Sequence, residues 1–508
     1  MNMIDSIKIR MYRHGFGDCF LLRFFSGKVR QCSMLIDCGL KKNDSVEGVT
    51  LEDVRDDISR LLRLGVTGNK KPRLDILVVT HEHWDHVSGF HPAKKLFNVF
   101  SVDKLWLAWT EDPDDEDAKV LNKGLQKRIK ALKIATDRLK KNTNGAAEFY
   151  MSLAGGDKLL AIRKDFNDSL EGVLEFLGPL AVTKTPDGAT VKEQYRISLD
   201  TQLAMDHIRT LANGKETGIR YCSPGDLIED KTGLPGVRIY VFGPPRNKLL
   251  NKAAPSGGAK KEVYFGDSSL AGFVDGVVAL EEKSTRATDC GRPFGNVPAF
   301  SIEQAKDHKY LTMEKGYLDP GCNWRAIQDD WLDMAGGLAM QMDSDTNNTS
   351  LVLAIEMIDS GKVLLFPGDA QVGNWLSWHD YVWTVKSAGS TKTVNAEQLL
   401  NNTVFYKVGH HSSHNATLKE KGLEMMTHDD LEAFVPEKEG QYSGIPYTPL
   451  IQTLKKKTKG RLIVSADSNY PAESTLKNRP LVLSAKEWKA FSDSIELEPL
   501  FVEYTIRG

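Results

Sequence analysis

At 508 residues the chain is too long for one small domain; length alone suggests roughly three, and a catalytic core carrying large insertions fits equally well. With 41% apolar residues, 26% charged residues and a formal net charge of −2, the composition is that of an ordinary globular protein. It excludes a whole-chain polyanion binder and leaves nucleic-acid contact to local basic patches. Six scattered cysteines without a C-x-x-C pair exclude a disulfide framework and fit reduced thiols. The N-terminus has no signal-type apolar core and no run approaches the length of a bilayer, so a cytoplasmic protein without a membrane partner is expected.

Residues 5–40 predict a strand hairpin or meander. Ile7-Lys8-Ile9-Arg10-Met11 alternates, Gly15-Phe16-Gly17-Asp18 is a turn, and Cys19–Phe25 is strongly apolar. Met34-Leu35-Ile36 then runs into Asp37-Cys38-Gly39, which puts a carboxylate at a strand terminus. Residues 51–64, LEDVRDDISRLLRL, space their apolar residues as a helix does, with acids early and arginines late in harmony with the helix dipole, and Gly65 marks a stop.

Leu74–Gly89, LDILVVTHEHWDHVSG, carries the strongest chemical signal. The short β-branched run Ile76–Val79 suits a strand buried on both faces. The cluster His81-Glu82-His83-Trp84-Asp85-His86 therefore falls at a strand C-terminus, where α/β sheets place ligands. Three imidazoles and a carboxylate cannot all be buried there without a shared partner. A divalent cation satisfies them together, because neutral imidazole and carboxylate are the N and O donors that zinc prefers. His81 and His83, two apart, can reach one ion, and the turn that follows aims Asp85 and His86 at a second. A polar loop with incidental histidines is the alternative.

Beyond the cluster, Pro92–Val99 predicts a helix and Val102–Trp109 another buried strand. An acidic turn, Glu111–Asp117, leads into a basic amphipathic helix, AKVLNKGLQKRIKALKIATDRLKKNT, whose cations either meet phosphates or form a solvated face. Residues 145–215 read as mostly helical, and 111–220 as an insertion. Core signals return over 221–245, at Gly225-Asp226-Leu227-Ile228 and at Val237–Val241 before Phe242-Gly243-Pro244-Pro245. Residues 246–345, with the stretch NKAAPSGGAKKE and the segment Gly321-Cys322-Asn323-Trp324, read as a second insertion or lid that contains helices.

The segment 346–508 is core once more. Asn348-Thr349-Ser350 precedes a strand over Leu351–Ile358, and a second strand, Lys362–Phe366, ends in Pro367-Gly368-Asp369-Ala370. A third, Val404–Val408, ends at Gly409-His410-His411-Ser412-Ser413-His414. A helix over Pro449–Lys457 and a strand over Leu462–Ser465 follow. With 1–110, these give two β-rich halves separated by insertions, as in a duplicated sandwich.

Four strand ends thus carry metal-type ligands: Asp37, the 81–86 cluster, Asp369 and His410/His411. In this order they resemble the metallo-β-lactamase superfamily. More narrowly, they are similar to the soluble β-lactamase-like domain of competence DNA-uptake (ComEC-type) proteins. That pattern is echoed in Gly17-Asp18, Ile36-Asp37-Cys38-Gly39, His81–His86 with Gly89, Gly225-Asp226 and Phe242-Gly243-Pro244. It is echoed again in Asn348-Thr349-Ser350-Leu351, Gly368-Asp369 and His410-His411-Ser412-Ser413. The resemblance spans about 5–110, 220–245 and 345–467; the membrane channel of the uptake proteins is absent, so transport does not carry over.

The resemblance implies an αβ/βα four-layer sandwich with two large, mostly helical insertions and a dinuclear centre of two divalent ions, zinc or alternatively manganese. His81 and His83 would hold the first metal, and Asp85 and His86 the second. Asp369 would bridge both, and one of His410 or His411 would complete the second site. Asp37 would orient the ligating histidines from behind. The superfamily often supplies a third histidine to the first metal; His207, in a helical pattern, is no convincing match. The chemistry expected is attack by a metal-activated hydroxide, with Asp85 or Asp369 accepting the water's proton and Lys407, Ser412 and Ser413 binding the substrate's anionic oxygens. A phosphodiesterase or nuclease acting on nucleic acid or nucleotides is the leading expectation. A carbonyl hydrolase (lactone, thioester or β-lactam) and a binding or scaffold module are the alternatives, and no protein partner of the insertions is identified.

Overall fold

A computed structural model describes residues 3–41, 45–64, 70–145, 180–183, 196–212, 218–229, 234–247, 274, 277, 307–313, 315–316, 334–387, 390–438 and 444–508. The expected stop at Gly65, the lysine- and glycine-rich stretch 251–262 and the segment 321–324 lie outside the described residues. The chain divides into two compact units: Met1–Lys119, Glu175–Ser256 and Asp343–Gly508 form one, and Val120–Leu174 with Gly257–Met342 form the other.

The first unit opens with β1 (Ser6–Tyr12), β2 (Phe20–Ser26) and β3 (Val29–Ile36), an antiparallel meander. Helix α1 (Leu51–Arg63) follows; its Thr50 cap accepts the Asp53 N–H while the Asp53 side chain returns to the Thr50 N–H, a reciprocal arrangement that satisfies two orphan donors. α1 returns the chain to β4 (Arg73–Val78), parallel to β3, and the single turn α2 (Trp84–Val87) follows that strand. Pro92–Val99 is not one helix but two 3₁₀ turns, Pro92–Lys94 and Leu96–Val99, broken at Lys95, whose φ of 54° is left-handed. β5 (Ser101–Ala108) lies parallel to β4, and α3 (Glu116–Gly145) begins in this unit and continues into the other.

Within 145–215, expected to be mostly helical, β6 (Leu180–Thr183) and β7 (Arg196–Leu199) form an antiparallel pair before helix α4 (Asp200–Leu211). β8 (Ile219–Cys222) then pairs parallel with β5, while Ala204, Met205 and Ile208 of α4 pack into the same apolar cluster as α1. Glu175–Ser256 accordingly groups with the first unit. β9 (Leu227–Ile228) and β10 (Val237–Gly243) start a second sheet, and α5 (Met334–Asn348) leads into its continuation, β11 (Val352–Met357) and β12 (Val363–Phe366). β13 (Val382–Ser387) and β14 (Ser390–Asn395) make a separate hairpin. β15 (Thr403–Lys407), β16 (Glu432–Lys438), helix α6 (Thr448–Lys457), β17 (Leu462–Ala466), β18 (Ile495–Leu497) and β19 (Phe501–Arg507) complete the chain.

The strand orders are β18-β19-β1-β2-β3-β4-β5-β8 and β17-β16-β15-β12-β11-β10-β9. Alternation sorts each strand's side chains between layers. On β2, Phe20, Leu22 and Phe24 enter the core between the sheets, where they join Ile239, Leu353, Phe405 and Phe434, while Leu21 faces outward. The outer face of the first sheet is covered by α1 and α4; that of the second by Trp375, Trp378, Leu399, Ile451 and Leu454. These are the four layers of an αβ/βα sandwich. Cys19, Cys32, Cys38 and Cys222 are buried free thiols. No described helix is long and apolar enough to cross a membrane.

Both sheets mix antiparallel with parallel strands, and the parallel runs β3-β4-β5-β8 and β12-β15-β16-β17 decide where chemistry can sit. Asp37 follows β3, His81–His86 follow β4, Asp369 follows β12 and His410–His411 follow β15, so every candidate ligand leaves the carboxyl end of a parallel strand.

Candidate metal centre

Three loops meet backbone to backbone beneath the cluster. The Asp18 N–H donates to the Asp85 carbonyl at 3.0 Å, the Gly39 N–H to the Asp18 carbonyl at 3.0 Å, and the Cys38 N–H to the His86 carbonyl at 3.0 Å. Gly39 is required here, since a Cβ would run into the Asp85 carbonyl and the His86 nitrogen. The β4 loop is thereby clamped against the β3 loop, and the histidines are presented on a rigid base.

His81, His86 and His411 are each held from outside by one ring nitrogen, which settles the role of the other. Thr80 Oγ1 donates to Asp37 Oδ2 at 2.7 Å, so at 3.0 Å from His81 Nδ1 it is the acceptor. His81 Nε2 then carries a lone pair and lies 3.1 Å from His83 Nδ1. His86 Nδ1 donates to Asp37 Oδ2 at 2.8 Å, leaving Nε2 3.2 Å from Asp369 Oδ2 and 3.7 Å from Asp85 Oδ2. His411 Nδ1 donates to the Pro436 carbonyl at 2.6 Å, leaving Nε2 2.9 Å from Asp85 Oδ2.

The inward nitrogens of His86 and His411 therefore oppose carboxylates, and each is either protonated or shares a cation with them. Burial opposes charge on His86, but Asp369, Asp18, Asp85 and Asp37 together raise its pKa well above the usual imidazole range. His411, likewise buried, is held up at about 9 by Asp85 and Asp369. A divalent ion removes the need for two buried imidazoliums. Donors on one tetrahedral zinc at about 2.0–2.1 Å lie about 3.3 Å apart, which matches the 3.1 Å and 3.2 Å separations above. One ligand atom from each of Asp85, His86, Asp369 and His411 falls within 4.8 Å of all the others, and the same holds for Asp18, Asp37 and His86. All six residues are buried.

The carboxylates are set by a second layer of contacts. Asp369 accepts the His410 N–H at 2.8 Å and lies 3.1 Å from Lys407 Nζ, while its own N–H donates to Ser350 Oγ at 3.0 Å. Burial pushes the Asp369 carboxyl up, but Lys407 and His86 outweigh it and hold the group well below the usual range. Asp85, also buried, is brought down to about 2 by His86 and His411. The His410-His411-Ser412 turn is built from three consecutive left-handed residues, with φ of 45°, 48° and 64°. Such strain in non-glycine residues concentrates at functional sites, and here it turns His411 inward while His410 Nδ1 faces Ser413 Oγ at 2.8 Å.

Among the sequence-predicted residues, His86, Asp85, Asp369 and His411 converge, with His81 and His83 beside them: the His81 and His86 ring centroids are 4.2 Å apart. His411, rather than His410, joins the cluster. Asp37 sits behind His86 and accepts its Nδ1–H. Lys407, expected to bind substrate, lies beside Asp369. It is buried, and its ammonium is taken by Asp18, Asp369 and, at 2.9 Å, the Gly368 carbonyl, so it supports the cluster from below. Ser412 and Ser413 are also buried, Ser413 on His410 and Asn415. His207 stands on α4 beside Thr210, outside the ligand groups.

Two residues escaped the sequence reading of the site. Asp18, the partner of Lys407, was visible only as a Gly-Asp turn ahead of an apolar strand. Asp343, at the end of α5, lies 3.7 Å from His83 Nε2 and was hidden in a stretch read as insertion. Burial, then Asp85 and Asp369, pushes the Asp343 carboxyl up to about 7.

Residues 13–186 match the model of the metallo-beta-lactamase superfamily. A search of curated proteins finds no match for the chain. The matched segment contains Asp18, Asp37 and the 81–86 cluster and ends before Asp369 and His411, which the fold delivers to the same place. The chain therefore carries a metallo-β-lactamase superfamily domain whose joined sheet ends hold a buried His/Asp metal-site candidate. This is the constitution of a metal-dependent hydrolase.

Proposed function

We propose that this hydrolase is a phosphodiesterase or nuclease acting on nucleic acid or nucleotides, using two divalent ions, zinc or alternatively manganese. The observation that carries the reading is the pairing of inward imidazole nitrogens with ionised carboxylates, His86 against Asp369 and His411 against Asp85, beside a separate nitrogen pair on His81 and His83. On this reading His81 and His83 would hold one ion, Asp85, His86 and His411 the other, and Asp369, which lies with the second group, would serve both. When bound, two adjacent divalent ions lower the pKa of water to about 7 and neutralise both the attacking and the departing oxygen of an in-line phosphoryl displacement.

The protein's own groups supply the remainder. Asp85 Oδ1 is buried without a hydrogen-bond partner among the described residues, which supports Asp85 as the acceptor of an attacking water's proton. Lys407 keeps Asp369 ionised, and Asp37 with Thr80 holds His81 and His86 in the tautomers that point their donor nitrogens inward. The resemblance to the β-lactamase-like domain of competence DNA-uptake proteins supports a polynucleotide substrate. So do the basic residues of α3 and the run Lys455-Lys456-Lys457-Thr458-Lys459.

The test is turnover of bis(p-nitrophenyl) phosphate and of a simple lactone by the full chain reconstituted with zinc or manganese. Phosphodiester turnover that disappears in Asp369→Asn is expected. Turnover of the lactone alone would replace this reading with carbonyl hydrolysis, and a metal-loaded, folded protein that cleaves neither would make it a binding module.

A further inference from the structure

The parallel strands β12, β15, β16 and β17 have a second edge, opposite the metal centre, where their amino ends gather. Lys362 immediately precedes β12, Val404 lies at the start of β15, Glu432 begins β16 and Arg461 immediately precedes β17. With helix α7 (Ala485–Asp493) and the end of β19, these residues line a cavity of about 400 Å³. Small-molecule sites run from about 300 to 1,000 Å³ and join an apolar wall to a few convergent polar groups.

Glu432 is the group that the fold alone leaves unexplained here. It is only 3% exposed; its Oε1 accepts the Tyr504 hydroxyl at 2.8 Å, from one sheet to the other, while Oε2 has no partner among the described residues. A buried polar atom in that position calls for a partner from outside the chain. Burial outweighs Tyr504 and Arg461 and holds the carboxyl well above its usual range, which favours the neutral form. Since Oε1 already accepts, the acid hydrogen then sits on Oε2, and the atom in want of a partner is a donor.

The surrounding charges favour an anion. Lys362 gives Nζ to the Arg507 carbonyl at 2.7 Å and Arg461 gives Nε to the Leu431 carbonyl at 3.3 Å, so both are committed to backbone. The Glu487 carboxylate is likewise spent on the Ser484 N–H at 2.7 Å, and Asp430 stands 3.9 Å from Arg461 Nη1. Lys486 and Arg507, both exposed, remain to meet an incoming charge. Val404, Phe491 and Ile506 add a buried apolar wall, which a hydrated inorganic ion would not use.

We propose that this cavity binds a small organic anion. Its carboxylate or phosphate group meets Lys486 and Arg507, an acceptor oxygen takes the hydrogen bond of Glu432 Oε2, and its apolar body lies on Phe491 and Ile506.

The experiment is a fluorescence titration of the full chain with anilinonaphthalene sulfonate, an organic anion, beside its neutral counterpart phenylnaphthylamine. One saturable site per chain is expected for the anion, and weaker binding of the neutral dye. Displacement by benzoate would mark a carboxylate as the natural head group and displacement by phenylphosphonate a phosphate; displacement by neither would overturn the proposal. Lys486→Glu combined with Arg507→Glu, both at exposed positions, should weaken binding by about tenfold or more at an unchanged urea midpoint. Glu432→Gln keeps a donor in the same place and should bind as the wild type does. A wild type that binds no dye, or a double variant that binds it with wild-type affinity, would leave the cavity to water and overturn the assignment. Loss of binding in Glu432→Gln would equally overturn it, because an ionised carboxylate would then be what the ligand meets.

Discussion

His86 Nε2 lies 3.2 Å from Asp369 Oδ2, and the two residues leave the carboxyl ends of β4 and β12, strands of different sheets. The sandwich closes at this point. The core between the sheets brings the strand ends together, and Asp37 behind His86 and Lys407 beside Asp369 decide which atoms face each other. The following expectations test whether these outer groups do what their geometry implies.

Asp37→Asn keeps the side chain's shape and removes the carboxylate that accepts from Thr80 and from His86 Nδ1. With its outer partner weakened, His86 loses both basicity and orientation, and metal affinity should fall about 10–100-fold. Calorimetric titration with Zn²⁺ measures this; unchanged affinity would mean that Asp37 serves the fold alone.

Lys407→Met leaves Asp18 and Asp369 buried without their shared cation. Breaking a buried pair from one side costs about 3–5 kcal/mol, so the metal-free variant should unfold at markedly lower urea concentration. Adding Asp18→Asn should recover part of the loss. A variant of wild-type stability with a raised KM would instead return Lys407 to the substrate-binding role expected from sequence.

Ser412 occupies the left-handed region at φ 64°, and its buried Oγ has no hydrogen-bond partner among the described residues. Ser412→Gly removes the steric cost of that conformation but adds backbone freedom to the unfolded chain, for a net gain of up to about 1 kcal/mol. Urea unfolding should show the gain; a loss would indicate that the hydroxyl contributes contacts of its own.

Away from the site, Arg10 on β1 pairs across the sheet with Glu503 on β19 at 2.7 Å and reaches Asp57 on α1 at 2.7 Å, while Arg23 adds a second contact to Glu503. Burial alone would raise the Glu503 and Asp57 carboxyls, but the arginines hold both below their ordinary values. A depressed folded-state pKa stabilises fully above the unfolded value, about 4 for these groups, and the contribution is lost as pH falls through the folded value. Stability should therefore drop on acidification below about pH 4. Glu503→Gln should be less stable near neutrality yet show a shallower acid loss. An identical acid slope in the variant would remove Glu503 from that role.

The part of the site written as one continuous run, His81–His86, was readable because a single buried strand presents it. Asp369 and the His410-His411 pair could be placed at strand ends but not resolved further. The choice of His411 depends on three left-handed residues, a conformation that side chains of these types rarely adopt and that no local pattern announces. The depth of Lys407 was equally hidden, since a lysine beside metal ligands reads as a solvent-facing cation until Asp18 is brought in from another strand. Asp343 could not be found because its signal is purely tertiary. It sits in the second half of a helix whose sequence has no metal spacing, and the Asn348 and Ser350 links tie that helix's end to the Asp369 loop. In the sheets the reading held where apolar runs were short and β-branched, and it failed at Pro92–Val99, where Lys95 breaks an otherwise helical pattern.

The most direct measurement is elemental analysis of the purified full chain after loading with zinc or manganese, beside the double variant Asp85→Ala, His86→Ala. Close to two metal ions per chain in the wild type, collapsing in the double variant, is the expected result. A folded wild type that retains no divalent metal, or a double variant that retains the full complement, would contradict a metal centre at the joined ends of the two sheets.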